Sequence, residues 1–535
     1  YDGLLQRKNH KNDQERSVNV YPDNPMGHGA EGMKYRFQWN FPIFFSPHEK
    51  NKLYTASQHL HVSNDEGQSW KIISPDLTRN EPSKLVSSGG PITKDNTSVE
   101  YYCTIFAAAE SPIRQGLIWA GSDDGLVHIT KDGGANWENV TPENMPEWIM
   151  INTIEPHPTD PAVAYIAATM YKSGNFQPYI YRTSDYGKNW KKMVDGINNE
   201  HFTRVVRIDP NRPGLMYAGT EAGMYVSFND GVQWQPLQLN LPMVPITDMA
   251  IKNNNLIAAT QGRSLWIIDD LTPLHQMQKD FKDKQTHLYK PMSSYRMKGG
   301  GGRKSLTQGT NHPGGVMVNY FVKNLTDSTN VTLTFLEKGG KVIRKFSNRA
   351  KEKKDKLKVK KGTNRFNWNM RYEDAKSFDK MILWWASLNG PKAMPGKYEV
   401  QLMVDDMIQN VDFVILKDPR IKTNDKELRE QFDFLNEIKS KMSEAHEAII
   451  EIRDIRSQLK NYTGRLSKDN STQPVFEKAN AIDSMMLLIE NELYQTKNQS
   501  RQDPLNFPIK LTNKLGHLNS LVSGGDYPPT AQAIE

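Results

Sequence analysis

Four octapeptides share one pattern, Ser/Thr-x-Asp-x-Gly-x-x-Trp: SNDEGQSW (Ser63–Trp70), TKDGGANW (Thr130–Trp137), TSDYGKNW (Thr183–Trp190) and SFNDGVQW (Ser227–Trp234), the last with Asn229 in place of Asp. Each residue type has a job in a tight turn. The hydroxyl and carboxylate bond nearby backbone groups, the glycine accepts a positive φ, and the tryptophan folds back to pack. This is the Asp-box pattern, and its recurrence through the first half of the chain predicts a repeat architecture.

Between the boxes runs a second repeat, NKLYTAS, GLIWAGS, AVAYIAAT, GLMYAGT and NLIAATQG, with Tyr54, Trp119, Tyr165, Tyr217 and Ile257 in equivalent places. Turn-rich segments (SPHEKN, ESPIRQ, HPTDP, DPNRP) precede four of them, so each unit reads as several short strands. Units of this length and make-up are β-propeller blades, and five are legible between Arg36 and Asp270. The opening YDGLLQR matches GLVHIT, as though the chain entered at the third strand of a blade, which leads us to expect residues ahead of Tyr1.

The blade pattern stops after IIDDLTP (Ile267–Pro273). A glycine run at Gly299–Gly302 reads as a linker, since it lacks the Gly-Lys-Ser/Thr spacing of a phosphate loop. Alternating strands follow, with a hairpin at Gly339–Gly340 and the phrase PGKYEVQL, and they predict an immunoglobulin-like sandwich. From Thr423 the apolar period becomes helical (Leu428, Phe432, Leu435, Ile438, Met442, Ala445, Ile449), and two further helical stretches imply a bundle. Met442, Met485 and Met486 are expected in its core. The overall expectation is a mainly β chain: an Asp-box β-propeller over 1–272, a linker and Ig/FnIII-like β-sandwich over 273–420, and an α-helical domain over 421–535.

With 535 residues the chain can bury large cores, and its mean hydropathy of −0.68 argues against a membrane span. The net charge of +7 comes almost entirely from RAKEKKDKLKVKKG (Arg349–Gly362), which lacks interleaved aromatics, so we expect a solvated loop and no nucleic-acid partner. The single cysteine, Cys103, rules out an internal disulfide, and EYYCTIFAAA suggests that it sits in a buried strand. No cofactor and no metal site are expected; His59 and His61 share a strand face without an evident third ligand.

The box carboxylates are turn formers, so ligand chemistry has to be sought elsewhere. In YRFQWNF, Arg36, Gln38 and Asn40 alternate with Phe37, Trp39 and Phe41, giving one strand face three hydrogen-bonding groups. The insertion SSGGPITKDNTSVEYY adds Asp95, Asn96, Glu100 and Tyr101, and GSDDG, HFTRVVR and TQGRSLW add Asp123, Asp124, Arg204 and Arg263. Asp95 and Glu100 are the catalytic candidates; the other nine are ligand-binding candidates. Each could equally serve a surface or inter-blade ion pair. We expect Arg36, Asp95, Glu100 and Arg204 to meet in one cleft.

The boxes, together with GGPITKDN, EYYCTIFAAAES, GSDDGLVHIT, FTRVVRIDP, GTEAGMYVSFNDGVQWQPLQLNLP, ILWWA and PGKYEV, make the chain resemble large bacterial sortilin-like BNR (Asp-box) repeat proteins labelled glycosyl hydrolases, related to xyloglucanase-type propellers. The resemblance covers nearly the whole chain and implies a longer, exported protein of the periplasm or cell surface. It implies a polysaccharide or protein ligand on the axial face and a further protein partner for the helical domain. Two departures limit it. The cysteine-rich module of animal sortilins is absent, and no xyloglucanase catalytic motif matches a position here. The alternatives are therefore an extracytoplasmic binding protein, a glycoside hydrolase acting on a β-glucan through a carboxylate pair, and a structural subunit of a cell-envelope assembly.

Overall fold

A computed structural model describes residues 3–98, 101–277, 281, 283–300, 308–467 and 471–535. The chain is mainly β, with many antiparallel sheets and a helical C-terminal region, and it divides into two compact units, Tyr1–Leu271 and Thr272–Glu535.

The first unit begins with a hairpin, β1 (Gln6–Lys8) and β2 (Glu15–Ser17). Four antiparallel four-stranded meanders follow: β3 (Ile43–Phe45), β4 (Leu53–Ala56), β5 (Leu60–Ser63), β6 (Lys71–Ile72); β7 (Ile105–Glu110), β8 (Ile118–Ser122), β9 (Val127–Thr130), β10 (Glu138–Asn139); β11 (Met150–Pro156), β12 (Ala164–Met170), β13 (Asn175–Thr183), β14 (Trp190–Lys192); and β15 (Thr203–Ile208), β16 (Met216–Thr220), β17 (Gly223–Ser227), β18 (Gln235–Pro236). A three-stranded meander, β19 (Ile246–Lys252), β20 (Asn255–Thr260) and β21 (Leu265–Ile268), ends the unit.

Successive meanders pack face to face. Ala107, Trp119, Ile151, Ile154 and Ile166 share one inter-sheet core, and Tyr165, Ala167, Val206, Met216 and Trp234 another. The second strand of each four-stranded meander is thus covered on both sides, which is why its sequence is mostly apolar, with no charged residue, and rich in small residues. Gly121 shows how close the sheets come: a Cβ there would lie 2.5 Å from Ile151 Cγ2.

The tryptophan-terminated turns tie one sheet to the next. Within the second turn Thr130 Oγ1 donates to Asp132 (2.8 Å) and accepts from Gly134 N (3.0 Å), while Asn136 N donates to Asp132 (3.0 Å). The glycines of the four turns all have positive φ, from 78° to 101°. Hydrogen bonds from Ser69 and Asn136, side chain first, hold the Asp65 and Asp132 carboxyls at about 2. Each indole then reaches back. Trp137 Nε1 donates to Ile73 O (2.9 Å), Trp190 to Val140 O (2.7 Å) and Trp234 to Met193 O (2.9 Å), each acceptor following the last strand of the preceding meander. Trp70 makes the same bond to Val18 O (2.9 Å), directly after β2. The β1–β2 hairpin therefore stands where the third and fourth strands of a meander stand, the place assigned to YDGLLQR by its match to GLVHIT.

In the second unit a five-residue helix, α1 (Thr272–Gln276), precedes eight strands: β22 (Thr286–Leu288), β23 (Ser294–Tyr295), β24 (Val316–Val322), β25 (Val331–Glu337), β26 (Val342–Ser347), β27 (Gly362–Trp368), β28 (Gly396–Val404) and β29 (Met407–Leu416). They form two sheets, β22-β24-β27 and β23-β29-β28-β25-β26, with Gly339–Gly340 turning β25 into β26 and PGKYEV entering β28. Trp368, Phe335, Phe413 and Tyr398 stack in their common core, to which α2 (Asp425–Thr463) adds Leu428 and Phe432. A capping box between Asn424 and Glu427 starts α2. Beyond it come α3 (Gln473–Leu493), α4 (Leu511–Val522) and α5 (Ala531–Ile534). Among the described residues no helix is long and apolar enough to cross a membrane.

Two expectations need correction. Met442 is buried, but Met485 is 65% exposed, because the side of α3 that meets α2 is polar. Cys103 is buried, yet it lies in a bend ahead of β7 with φ of +59°, and burial pushes its thiol up to about 12. Gly301 and Gly302 of the linker lie outside the described residues.

Candidate ligand-binding site

The innermost strands of the five meanders, β3, β7, β11, β15 and β19, line a cavity of about 900 Å³. In four of them the pairing register slips by one residue at the same place, at Phe106, Asn152, Arg204 and Thr247. All four line the cavity. A bulge inserts one unpaired residue and re-aims its side chain, so the repeat points one side chain per strand at the cavity. Asn152 is held there by Thr169 Oγ1 (2.7 Å), and Arg204 by Glu221 (2.7 Å). The Arg204 guanidinium also lies 5.3 Å and 5.1 Å from the rings of Tyr171 and Phe202, which stack on each other.

Beside it, Arg207 bridges two carboxylates, the exposed Asp248 at 2.6 Å and Glu155 at 3.3 Å. Burial raises the Glu155 carboxyl against the pull of Arg207 and of Ile208 N. Both acids of the cavity therefore share one guanidinium.

An aromatic side pocket of about 370 Å³ shares Met150, Tyr171 and Lys172 with the cavity. Tyr102, from the long insertion, stacks on Trp148 at 6.3 Å, and Lys84 lies 4.7 Å over the same indole. Trp148 has φ of +62°, an uncommon conformation for so bulky a residue, held by a turn immediately ahead of β11. Lys84 and Lys172 at the rim have no carboxylate partner within ion-pair distance among the described residues. Asp123 closes the floor. Its carboxylate accepts from Thr104 N (2.8 Å), Thr104 Oγ1 (2.8 Å) and Gln38 Nε2 (3.4 Å), yet burial wins over these bonds and pushes the group up to about 7.

Of the residues singled out in the sequence, Gln38, Asn40 and Arg204 line the cavity and Asp123 the side pocket. The others are placed differently. Arg36 is turned inward, bonded to Cys103 O (3.0 Å), Asp76 (2.8 Å) and Thr78 (3.2 Å); residues 36–40, expected as a strand, form an irregular segment and turn ahead of β3, so strand alternation does not direct their side chains. Asn96 is buried against Ser87 (2.8 Å), Tyr101 donates to Pro25 O (3.1 Å), and Asp124 accepts from Arg79 N (2.8 Å): all three brace loops. Arg263 is exposed and bonds its neighbour Gly262 O (3.1 Å), and Asp95 is exposed on the insertion. Glu100 lies outside the described residues. Arg36, Asp95 and Arg204 thus do not meet in one cleft. His61 is buried beside Ser57 (2.8 Å) and pushed down to about 3 by burial, and among the described residues no three metal-ligating side chains cluster.

Glu155, Asp248, Trp148, Tyr171, Lys84 and Lys172 were not singled out in the sequence. The one signal available was paired polar residues, Asn152-Thr153 and Thr247-Asp248, where a strand should alternate; such a break marks a bulge.

No protein-family model and no curated protein match the sequence. Among solved structures, the chain is similar to an ancestral GH74 enzyme (15% identity, TM-score 0.33, 61% of this chain and 39% of that one). It is also similar to YCF48 bound to a peptide (16%, 0.32, 58% and 84%) and to the GH74 xyloglucanase from Xanthomonas campestris (12%, 0.35, 74% and 66%). The extracellular domain of a hybrid two-component system from B. thetaiotaomicron matches at 11% identity and a TM-score of 0.33 over 78% of this chain and 48% of its own. This chain spans about two fifths of the ancestral GH74 enzyme. No site residue or substrate is taken from these likenesses.

Proposed function

We propose that this chain is part of an exported Asp-box β-propeller protein that binds a glycan in its axial cavity. The sheets β22–β29 form an immunoglobulin-like sandwich, and the helical region meets a protein partner. One observation carries the reading: four register slips each aim a side chain into a common cavity, beside an aromatic pocket. Sugars offer hydroxyls to polar side chains and C–H faces to aromatic rings, and Gln38, Asn40, Asn152 and Arg204 supply the first while Trp148, Tyr102 and Tyr171 supply the second. The unpaired ammoniums of Lys84 and Lys172 favour a glycan that carries carboxylates. Binding is favoured over hydrolysis because Glu155 and Asp248 are both engaged by Arg207, whereas a glycosidase needs two carboxyl groups free to flank the scissile bond.

Calorimetric titration with acidic and neutral oligosaccharides tests this. Binding that falls about tenfold or more in both Trp148→Ala and Arg204→Ala is expected, and a peptide ligand unaffected by either change, or no glycan binding at all, would reject it.

A second reading, hydrolysis of a β-glucan, is supported by Asp123, a carboxyl group that holds its proton up to about 7 and opens on the side pocket. Reducing-sugar release that disappears in Asp123→Asn is its signature. Release unchanged by that substitution would remove Asp123 as the acid.

A further inference from the structure

α3 is built inside out. Its polar side faces α2: Glu490, 2% exposed, accepts from Arg453 Nε (2.7 Å) and Arg456 Nη1 (3.0 Å), and Asp483 accepts from Arg456 Nε (2.7 Å). Its apolar side faces water, where Val475, Ile482, Met485, Leu488 and Ile489 are between 37% and 69% exposed. On a helix that packs by its apolar face the arrangement is the reverse, so the exposed side has the composition of a contact surface.

The spacing says more. Val475, Lys478, Ile482, Met485, Ile489 and Glu492 advance alternately by three and four residues, the seam of a two-stranded coiled coil. The two ends of this seam carry opposite charges, both exposed: Lys478 toward the N-terminus, and toward the C-terminus Glu492, which also makes a surface ion pair with Lys510 (3.4 Å). Laid parallel, two copies of α3 would set lysine against lysine and glutamate against glutamate. Laid antiparallel, they place Ile482 beside Met485 of the other copy and bring each Lys478 within a turn of the opposing Glu492. Only the second arrangement is both apolar at its centre and attractive at its ends.

We propose that this face of α3 binds a second copy of the chain, in an antiparallel helix pair related by a two-fold axis. The seam is self-complementary in shape and charge, which is what an isologous contact requires, and a partner of another kind would have to reproduce the same opposed charges. Arg453 and Arg456 take no part in the contact; they hold the helix with its apolar face outward.

Sedimentation equilibrium on the full chain, over about 10–100 μM, tests the proposal. Expected are a dimer, its loss in Met485→Lys, and a weakening of about tenfold or more in either Lys478→Glu or Glu492→Lys. The double variant Lys478→Glu/Glu492→Lys restores opposite charges and is expected to recover the dimer. All three substituted positions are exposed, so circular dichroism is expected to show intact helices throughout. A monomer over the whole range, a dimer indifferent to Met485→Lys, or charge reversals that fail to weaken it singly or to restore it together would each overturn the proposal.

Discussion

Asp123 offers the sharpest test of the site's electrostatics. The group is pushed from its ordinary 3.8 to about 7, with burial as the largest cause and Asp124 adding repulsion against the bonds from Thr104. A carboxyl group whose proton is held more tightly in the fold than in the unfolded chain favours the fold at low pH. As pH rises past 3.8 the unfolded chain ionises while the fold retains its proton, so stability falls until the folded group itself titrates near 7 and is constant above it. At 1.36 kcal/mol per tenfold change the whole interval amounts to about 4 kcal/mol, of which about 3 kcal/mol falls between pH 4.5 and 8. Asparagine does not titrate. It keeps an acceptor for Thr104 N, and its amide can donate to Thr104 Oγ1 once that hydroxyl turns, at the cost of crowding Gln38 Nε2. Asp123→Asn is thus expected to lose about 1–2 kcal/mol at pH 4.5 and to overtake the parent protein by pH 8. Urea unfolding followed by tryptophan fluorescence, on both proteins at both pH values, cancels every other titrating group in the double difference. A difference that stays within about 1 kcal/mol across that range would mean that Asp123 is ionised in the fold, and the reasoning from burial would fail.

The tryptophan ties predict a graded series. Trp234, 2% exposed, loses a bond to Met193 O and part of its core packing in Trp234→Phe, for about 2–3 kcal/mol and a drop of roughly 5–10 °C in Tm, whereas Trp70→Phe, at a half-buried position, is expected to cost no more than about 1.5 kcal/mol. Gly121→Ala forces a methyl group to 2.5 Å from Ile151 Cγ2 and is expected to destabilise by about 1–3 kcal/mol, read as a shift in the urea midpoint. Glu490→Gln removes the acceptor charge from between Arg453 and Arg456 and is expected to cost about 1–2 kcal/mol, seen as earlier loss of helical ellipticity on urea titration.

How much the sequence revealed depended on the range over which each feature is decided. The four turns are legible because their hydrogen bonds close within eight residues: Thr130, Asp132, Gly134 and Asn136 satisfy one another before any other part of the chain is in place. The same holds for the Gly339–Gly340 hairpin and for α2, whose capping box and apolar period are local. Even the position of β1–β2 could be read, since strand order within a meander is written in its turns.

Side-chain direction was not local. Arg36, Gln38 and Asn40 alternate in sequence as three equivalent groups, but residues 36–40 form an irregular segment and turn ahead of β3, and only its packing against distant parts of the chain decides that Arg36 points at Asp76 and Gln38 at the cavity. The same packing decides which residue of each inner strand is left unpaired, and so which side chain enters the site. α3 reads as an ordinary amphipathic helix until α2 presents Arg453 and Arg456 to its acidic side and leaves Met485 facing water. By itself, then, the sequence determined the turns, the strand repeats and the helices, because their energetics are settled between near neighbours. Tertiary structure alone decided the cavity, the proton on Asp123 and the outward face of α3. Burial and partner geometry are properties of elements brought together from distant parts of the chain, and no short window of residues contains them.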